Sequence, residues 1–154
     1  MALVPDVAKK LINDGFEVFI ESGAGKQSDF SDEDYTGVGV TASEADKIIP
    51  NADIIFSVKM PNIDSIKKMK AEACLIGLLN PYDNHEQLKA LSENNVNAFS
   101  MELVPRSPRA QSMDVLSSQS NLAGYKAIVD SSSMFNRAMP MMMTAAGTIA
   151  PAKI

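Results

Sequence analysis

Three short apolar runs recur in the chain: Ile54-Ile55-Phe56-Ser57-Val58, Ala73-Cys74-Leu75-Ile76-Gly77-Leu78-Leu79 and Val96–Met101. An apolar run without alternation suits a strand buried on both faces, as in a parallel sheet. The intervals carry helical signals. Met60-Pro61-Asn62 closes the first run, and Ile63–Lys70 reads as a basic helix with a solvated face. Asn80-Pro81-Tyr82-Asp83 reads as a turn, and Asn84–Asn94 as a helix with Leu88 and Leu91 inward. Strands joined by helices at this spacing define an α/β domain with a mainly parallel sheet. Ligand chemistry in such sheets gathers beyond the carboxyl ends of the strands. Lys59 and the Met101–Arg109 loop both follow strands and could share one cleft there, although a strand-end surface lysine explains Lys59 equally simply.

The first fifty residues carry the same theme less regularly. Pro5–Asp14 reads as a helix, with Pro5 in its first turn, Val7, Ala8, Leu11 and Ile12 on one face, and Gly15 at C′. Phe16–Glu21 is a strand candidate. Gly23-Ala24-Gly25-Lys26 fails as a phosphate loop. Ile20 stands where the motif needs its first glycine, and Gln27 where it needs Ser or Thr, so a strand-to-helix turn is the better reading. Ser31–Tyr35 reads as a short acidic turn or helix, and Gly37-Val38-Gly39-Val40 as a short strand without the third glycine of a dinucleotide fingerprint. Thr41-Ala42-Ser43-Glu44 has the form of a capping box opening a helix to about Ile49.

Composition limits what such a domain can do. At 154 residues the chain is one domain, or one domain and part of another. A net charge of -5 disfavours nucleic acid or an anionic membrane surface as a direct partner. No apolar run approaches the roughly 20 residues of a membrane helix, so direct membrane insertion is not expected. No basic region followed by an apolar stretch opens the chain, so a secretory signal is not expected either. Cys74 is the only cysteine and His85 the only histidine, which excludes an internal disulfide and a zinc constellation. Cys74 reads as inert core, His85 as a surface residue in a first helical turn, and the compartment as cytoplasmic.

The densest chemistry lies in Met101–Lys126. A loop stiffened by Pro105 and Pro108 carries Arg106 and Arg109, then runs into a helical pattern through Gln111, Ser112, Asp114, Ser117 and Ser118. Gln111, Asp114 and Ser117 are three apart and form one polar stripe if the helix begins near Gln111. Spacing alone leaves two readings open: a solvated helix start capped near Gln111 or Ser112, or a rigid site for a planar polar group. Ser117-Ser118-Gln119-Ser120-Asn121 are modest helix formers, so something beyond propensity holds them there. The helical pattern continues to about Arg137. The methionines around Met141 read as packing filler, Ala145–Thr148 as loop, and Pro151–Ile154 as the start of a strand.

The stretch RAQSMDVLSSQSNLAGYKA, from Arg109 to Ala127, resembles the signature of the alpha subunit of proton-translocating NAD(P) transhydrogenase. ALVPDVAKKLINDGFEVFIESGAG resembles that family's early helix–strand–glycine segment, and PMMMTAAGTIAPAKI its passage into the nucleotide-binding domain. The related alanine dehydrogenases share the domain plan but not the RAQSMD…SSQ motif. They use a lysine and a histidine near the equivalents of Ser57 and Gly77, and neither is present here.

The resemblance implies a three-layer, mainly parallel sheet of Rossmann-like or flavodoxin-like type over residues 1–110, a long interdomain helix over 111–139, and the start of an NAD-binding domain over 140–154. The family's opening strand and its glycine-rich fingerprint are expected to lie outside this stretch, so the chain reads as a fragment that is inactive alone. Hydride would pass between NAD(H) on this subunit and NADP(H) on a partner subunit, coupled to proton movement by a membrane component. By resemblance, Arg106, Asp114 and Ser117 would hold the nicotinamide carboxamide, Gln111 would face the second nucleotide, and Arg109 would steady the loop or touch phosphate. No residue is expected to act as nucleophile or obligatory base. A homodimer, peripheral to the inner membrane through its partner subunits, is the expected assembly. An alanine dehydrogenase-like oxidoreductase and a truncated, non-catalytic interaction module are the alternatives.

Overall fold

Val4 delivers an extended backbone to helix α1, Pro5–Asn13, where Pro5 sits in the first turn and needs no intrahelical partner for its nitrogen. The helix closes as expected. Gly15, at φ +95°, donates to Ile12, and Phe16 donates to Leu11, both at 3.0 Å, which is the bond pair that ends a helix through a left-handed residue. In the computed structural model, which describes residues 1–153, strand β1 (Phe19–Glu21) and helix α2 (Asp32–Thr36) follow. The capping box predicted at Thr41 is found instead at Ser31. Its hydroxyl accepts from Asp34 N–H at 3.2 Å, and the Asp34 carboxylate accepts from Ser31 N–H at 2.7 Å.

Two local expectations fail for one reason. Gly37–Val40 is not a strand: Gly39 takes φ +97°, and Val40 N–H returns to the Tyr35 carbonyl at 3.1 Å. The strand is the next segment, β2 (Thr41–Ser43), paired in parallel with β1 in the register Phe19↔Thr41, Ile20↔Ala42, Glu21↔Ser43. Its backbone groups are taken by the ladder, as in Thr41 N–H to Val18 O at 3.0 Å, so Thr41 cannot cap a helix. Helix α3 (Ala45–Ile48) begins after Glu44 with no side-chain cap.

Strands β3 (Ile54–Ser57), β4 (Cys74–Gly77) and β5 (Asn97–Ser100) form a parallel sheet in the order β3-β4-β5. Helices α4 (Ile63–Lys67) and α5 (His85–Glu93) join them. Leu75 of β4 packs with Ile66, Met69, Leu79, Ala90, Leu91 and Val96 in one buried cluster. Helix α5 ends through Asn95 at φ +53°, with Val96 N–H bonded to Leu91 O at 2.9 Å. That bond seats two members of the cluster together and starts β5. Only one face of the sheet is covered this way. Ile54, Phe56 and Phe99 are exposed, and Cys74 is half-buried rather than core, so β3 is not the fully buried strand its apolar run predicted.

A second cluster, of Ala8, Val18, Ile20, Tyr35 and Val40, holds β1 and β2 against α1 and α2. Tyr35 is fully buried, and its hydroxyl donates to the Leu3 carbonyl at 2.7 Å. Burial, with the neighbouring Asp34 charge, raises its pKa above the ordinary value. Tyr35→Phe is expected to cost about 1 kcal/mol, because one hydrogen bond is lost while the ring packing stays. Urea denaturation checks this, and an unchanged midpoint would show that the bond contributes nothing.

The chain divides into two units, Met1–Met113 and Asp114–Ile154. The second contains helix α6 (Val115–Met134), 20 residues long, and a hairpin of β6 (Met142–Thr144) and β7 (Gly147–Ile149). The helix exceeds five turns, as expected, but begins at Val115 rather than near Gln111. Residues 111–113 form a separate 3-10 turn. The region predicted as loop at Ala145–Thr148 is a tight turn at residues 145–146 followed by β7, and Met141, Met142 and Met143 are exposed rather than packed. Residues 151–153 carry no regular structure, and Ile154, the end of the strand expected there, lies outside the described residues.

Candidate functional site

The carboxyl ends of β4 and β5 lead into two loops of the first unit. The β4 loop is fixed by side chains. Asn80 takes φ +43°, and the Asn84 amide donates to the carbonyls of Leu79 at 3.0 Å and Asn80 at 3.1 Å. The β5 loop begins in a 3-10 turn, Met101–Leu103. Glu102 in that turn accepts from Leu79 N–H at 3.2 Å and from Asn80 N–H. Sequence reasoning passed over Glu102. Its only signal was an acid at the end of an apolar strand.

Beyond that turn, Arg106 and Arg109 are exposed while Ala110 is buried, so the loop is anchored on both sides of the arginines. Among the described residues neither arginine forms an ion pair. Gln111 is exposed in the 3-10 turn Gln111–Met113 and is not on the long helix, so the single helical stripe through Gln111 does not form.

In the second unit Asp114 and Ser117 are brought together. Asp114 is the N-cap of α6 and accepts from Ser117 N–H at 3.0 Å and from the Ser117 hydroxyl at 2.6 Å. The pair satisfies one of the helix's unbonded amides and holds a carboxylate at its positive end. Ser118 turns back to the Val115 carbonyl at 3.1 Å. The serines that are poor helix formers are therefore kept by hydrogen bonds to their own helix.

Two other candidates resolve. Ser57 and Gly77 are direct neighbours in the β3–β4 ladder. A Cβ on Gly77 would overlap the Ser57 carbonyl oxygen, so this backbone has no room for any side chain there. Lys59 is exposed, and its carbonyl accepts from the Ser57 hydroxyl. The Gly23–Lys26 turn borders an open cavity of about 480 Å³. Gly23 N–H is already bonded to Asp32 at 2.8 Å, and Asp29, Glu33 and Asp34 also line the space, so a phosphate would meet carboxylates. A Cβ on Gly25 would lie 2.6 Å from the Phe30 carbonyl oxygen, which gives that glycine a packing reason. Among the described residues no cluster suits a metal ion, and no helix is long and apolar enough to cross a membrane.

These observations define a parallel α/β domain whose polar groups gather past the ends of β4 and β5, followed by a helix opened by an acid–serine pair. The family model described as alanine dehydrogenase/PNT, N-terminal domain, matches residues 1–123, and the chain belongs to that family. It is 44% identical over 160 residues to an NAD(P) transhydrogenase alpha subunit of Rhodospirillum rubrum, covering 100% of this chain and 42% of that one. A crystal structure of transhydrogenase from Sinorhizobium meliloti matches with a TM-score of 0.93 and 43% identity, over 98% of this chain and 45% of that chain. An L-alanine dehydrogenase structure matches with a TM-score of 0.65 and 26% identity, over 70% of this chain and 30% of that one. The chain thus spans less than half the length of these relatives.

Proposed function

We propose that this chain is the N-terminal portion of a transhydrogenase alpha subunit, acting in hydride exchange between NAD(H) and NADP(H) coupled to proton translocation. The observation that carries this reading is 44% identity along the whole chain to a protein named as that subunit. The absence of space for a side chain at Gly77 supports it over alanine dehydrogenase chemistry. NAD(H) would be held on this subunit and NADP(H) on a partner, with a membrane component completing a peripheral assembly on the cytoplasmic side of the inner membrane. A homodimer belongs to the same proposal.

The residues present fit the nicotinamide end of a dinucleotide. A carboxamide offers an acceptor oxygen and two N–H donors. Arg106 would donate to the oxygen, the Asp114–Ser117 pair would receive the N–H groups, Gln111 would face the second nucleotide, and Arg109 would steady the loop or touch phosphate. The nicotinamide supplies the hydride chemistry, and the chain's share is orientation, which alone can lower a barrier by several kcal/mol. Nothing in residues 1–153 reproduces the glycine-rich turn that holds pyrophosphate in dinucleotide folds.

A chimera tests this, with the present chain in place of the matching stretch of the Rhodospirillum rubrum subunit. With the membrane and NADP(H)-binding subunits it is expected to transfer hydride from NADH to an NADP⁺ analogue. The unextended chain is expected to show no saturable micromolar NADH binding, since a few hydrogen bonds cannot offset the entropy of fixing the ligand. Alanine oxidation or pyruvate reduction by the chimera, without transhydrogenation, would overturn the proposal.

A further inference from the structure

Glu102 has no role in the reading above, yet it is the one side chain that joins the two loops at the ligand-facing end of the sheet. Its two carboxylate oxygens receive two consecutive backbone N–H groups, Leu79 and Asn80, across 22 to 23 positions of sequence. The arrangement is built from both sides. Asn84 holds the carbonyls of the same two residues, and the left-handed Asn80 lets consecutive amides point one way. Leu79 is almost fully buried, so its amide has no water to bond in place of Glu102. The Met101–Leu103 turn that carries Glu102 leads within a few residues to Arg106, and Ala110 anchors the far side of that loop.

We propose that Glu102 is a positioning residue: by fastening the β4 loop to the turn from which the Arg106–Arg109 loop departs, it fixes where the arginines are presented to nicotinamide. The nicotinamide element rests on the function proposed above; the fastening does not.

The ionisation of Glu102 agrees with the geometry. Burial alone would push its carboxyl up, but the backbone amides of Leu79, Asn80 and Glu102 itself outweigh this and hold it below the ordinary 4.5. The adjacent Ser100 hydroxyl adds to the lowering, though it is placed too poorly to count as a hydrogen bond. A carboxyl lowered on folding stabilises the folded form fully above its ordinary value. That contribution disappears as pH falls through the lower, folded value. The fastening therefore holds at neutral pH and releases in acid.

Glu102→Gln tests this by amide hydrogen exchange on the whole chain. Exchange at Leu79, Asn80 and residues 103–110 is expected to rise on the order of tenfold at neutral pH. After correction for intrinsic chemistry, the wild type should approach the variant as pH drops below 4.5, while the variant should stay flat. In the chimeric enzyme, hydride transfer by the variant should fall on the order of tenfold with the unfolding midpoint unchanged. Glu102→Asp, which keeps the charge but is one methylene shorter, should recover some of both losses. Unchanged exchange at Leu79 and Asn80 would overturn the proposal. So would an exchange rise confined to those two amides with wild-type turnover. If the wild-type chimera itself transfers no hydride, the functional reading fails, and exchange at 103–110 alone decides the fastening.

Discussion

Gly77→Ala should destabilise the first unit by about 3 kcal/mol or more, the upper end of the range for overpacked cores. A methyl group there would overlap the Ser57 carbonyl oxygen, with the Ser57 carbonyl carbon 3.1 Å away. Both atoms belong to the neighbouring strand's backbone, so no rotamer change relieves the clash. Relief requires β3 and β4 to separate where Ser57 and Gly77 are in register, with loss of ladder hydrogen bonds. Denaturant melts of wild type and variant check this, and equal midpoints would show that the strands tolerate a side chain. A Gly77→His, Ser57→Lys double variant, which restores the residue types of alanine dehydrogenases, should fare worse and gain no alanine dehydrogenase activity.

In the chimeric enzyme, Arg106→Ala and Asp114→Asn should each slow hydride transfer about tenfold to a hundredfold. Each removes a charge-assisted hydrogen bond to the carboxamide, worth roughly 1.5–3 kcal/mol, and that energy converts to rate through the barrier. The two variants also separate positioning from folding. Asparagine caps a helix about as well as aspartate, so Asp114→Asn should leave the Ser117 amide bonded and the helicity of α6 intact. Arg106 is exposed and forms no ion pair among the described residues, so its loss should not lower the melting point. Stopped-flow hydride transfer with circular dichroism on the same samples decides the matter. Normal turnover in both variants would mean that the acid–serine pair is only a helix cap.

Most of the fold was legible where the signal is local. Pro5 and Gly15 bracketed α1, and the apolar runs located β3, β4 and β5. What was missed depends on contacts between distant residues. Thr41-Ala42-Ser43-Glu44 has the letters of a capping box, but β1 captures its backbone first, and no reading of four residues can show that. The apolar run of β3 looked doubly buried because the pattern reports what a strand can bury, not what lies against it. The helix start was misplaced because Gln111, Asp114 and Ser117 fit one period, whereas the Asp114–Ser117 bonds place the cap at the second of them. At the candidate site the arginines and the acid were apparent as letters in a dense motif. The Glu102 contact and the backbone reason for Gly77 were not, since each is set by a partner some 20 positions away.

The order of the three-stranded sheet bears on how the protein is made. Because β3, β4 and β5 lie side by side in the order of synthesis, each strand leaving the ribosome finds its neighbour already present. No strand must wait for a later one to be inserted between itself and its partner. Short-range connections of this kind favour rapid folding and leave edges unpaired only briefly. The Leu79 and Asn80 amides are the exception: they emerge before their acceptor, Glu102, has been translated. The ligand-facing end of the sheet is therefore completed last, only after β5 has been added, so a stalled nascent chain would hold the sheet's first two strands without its finished rim.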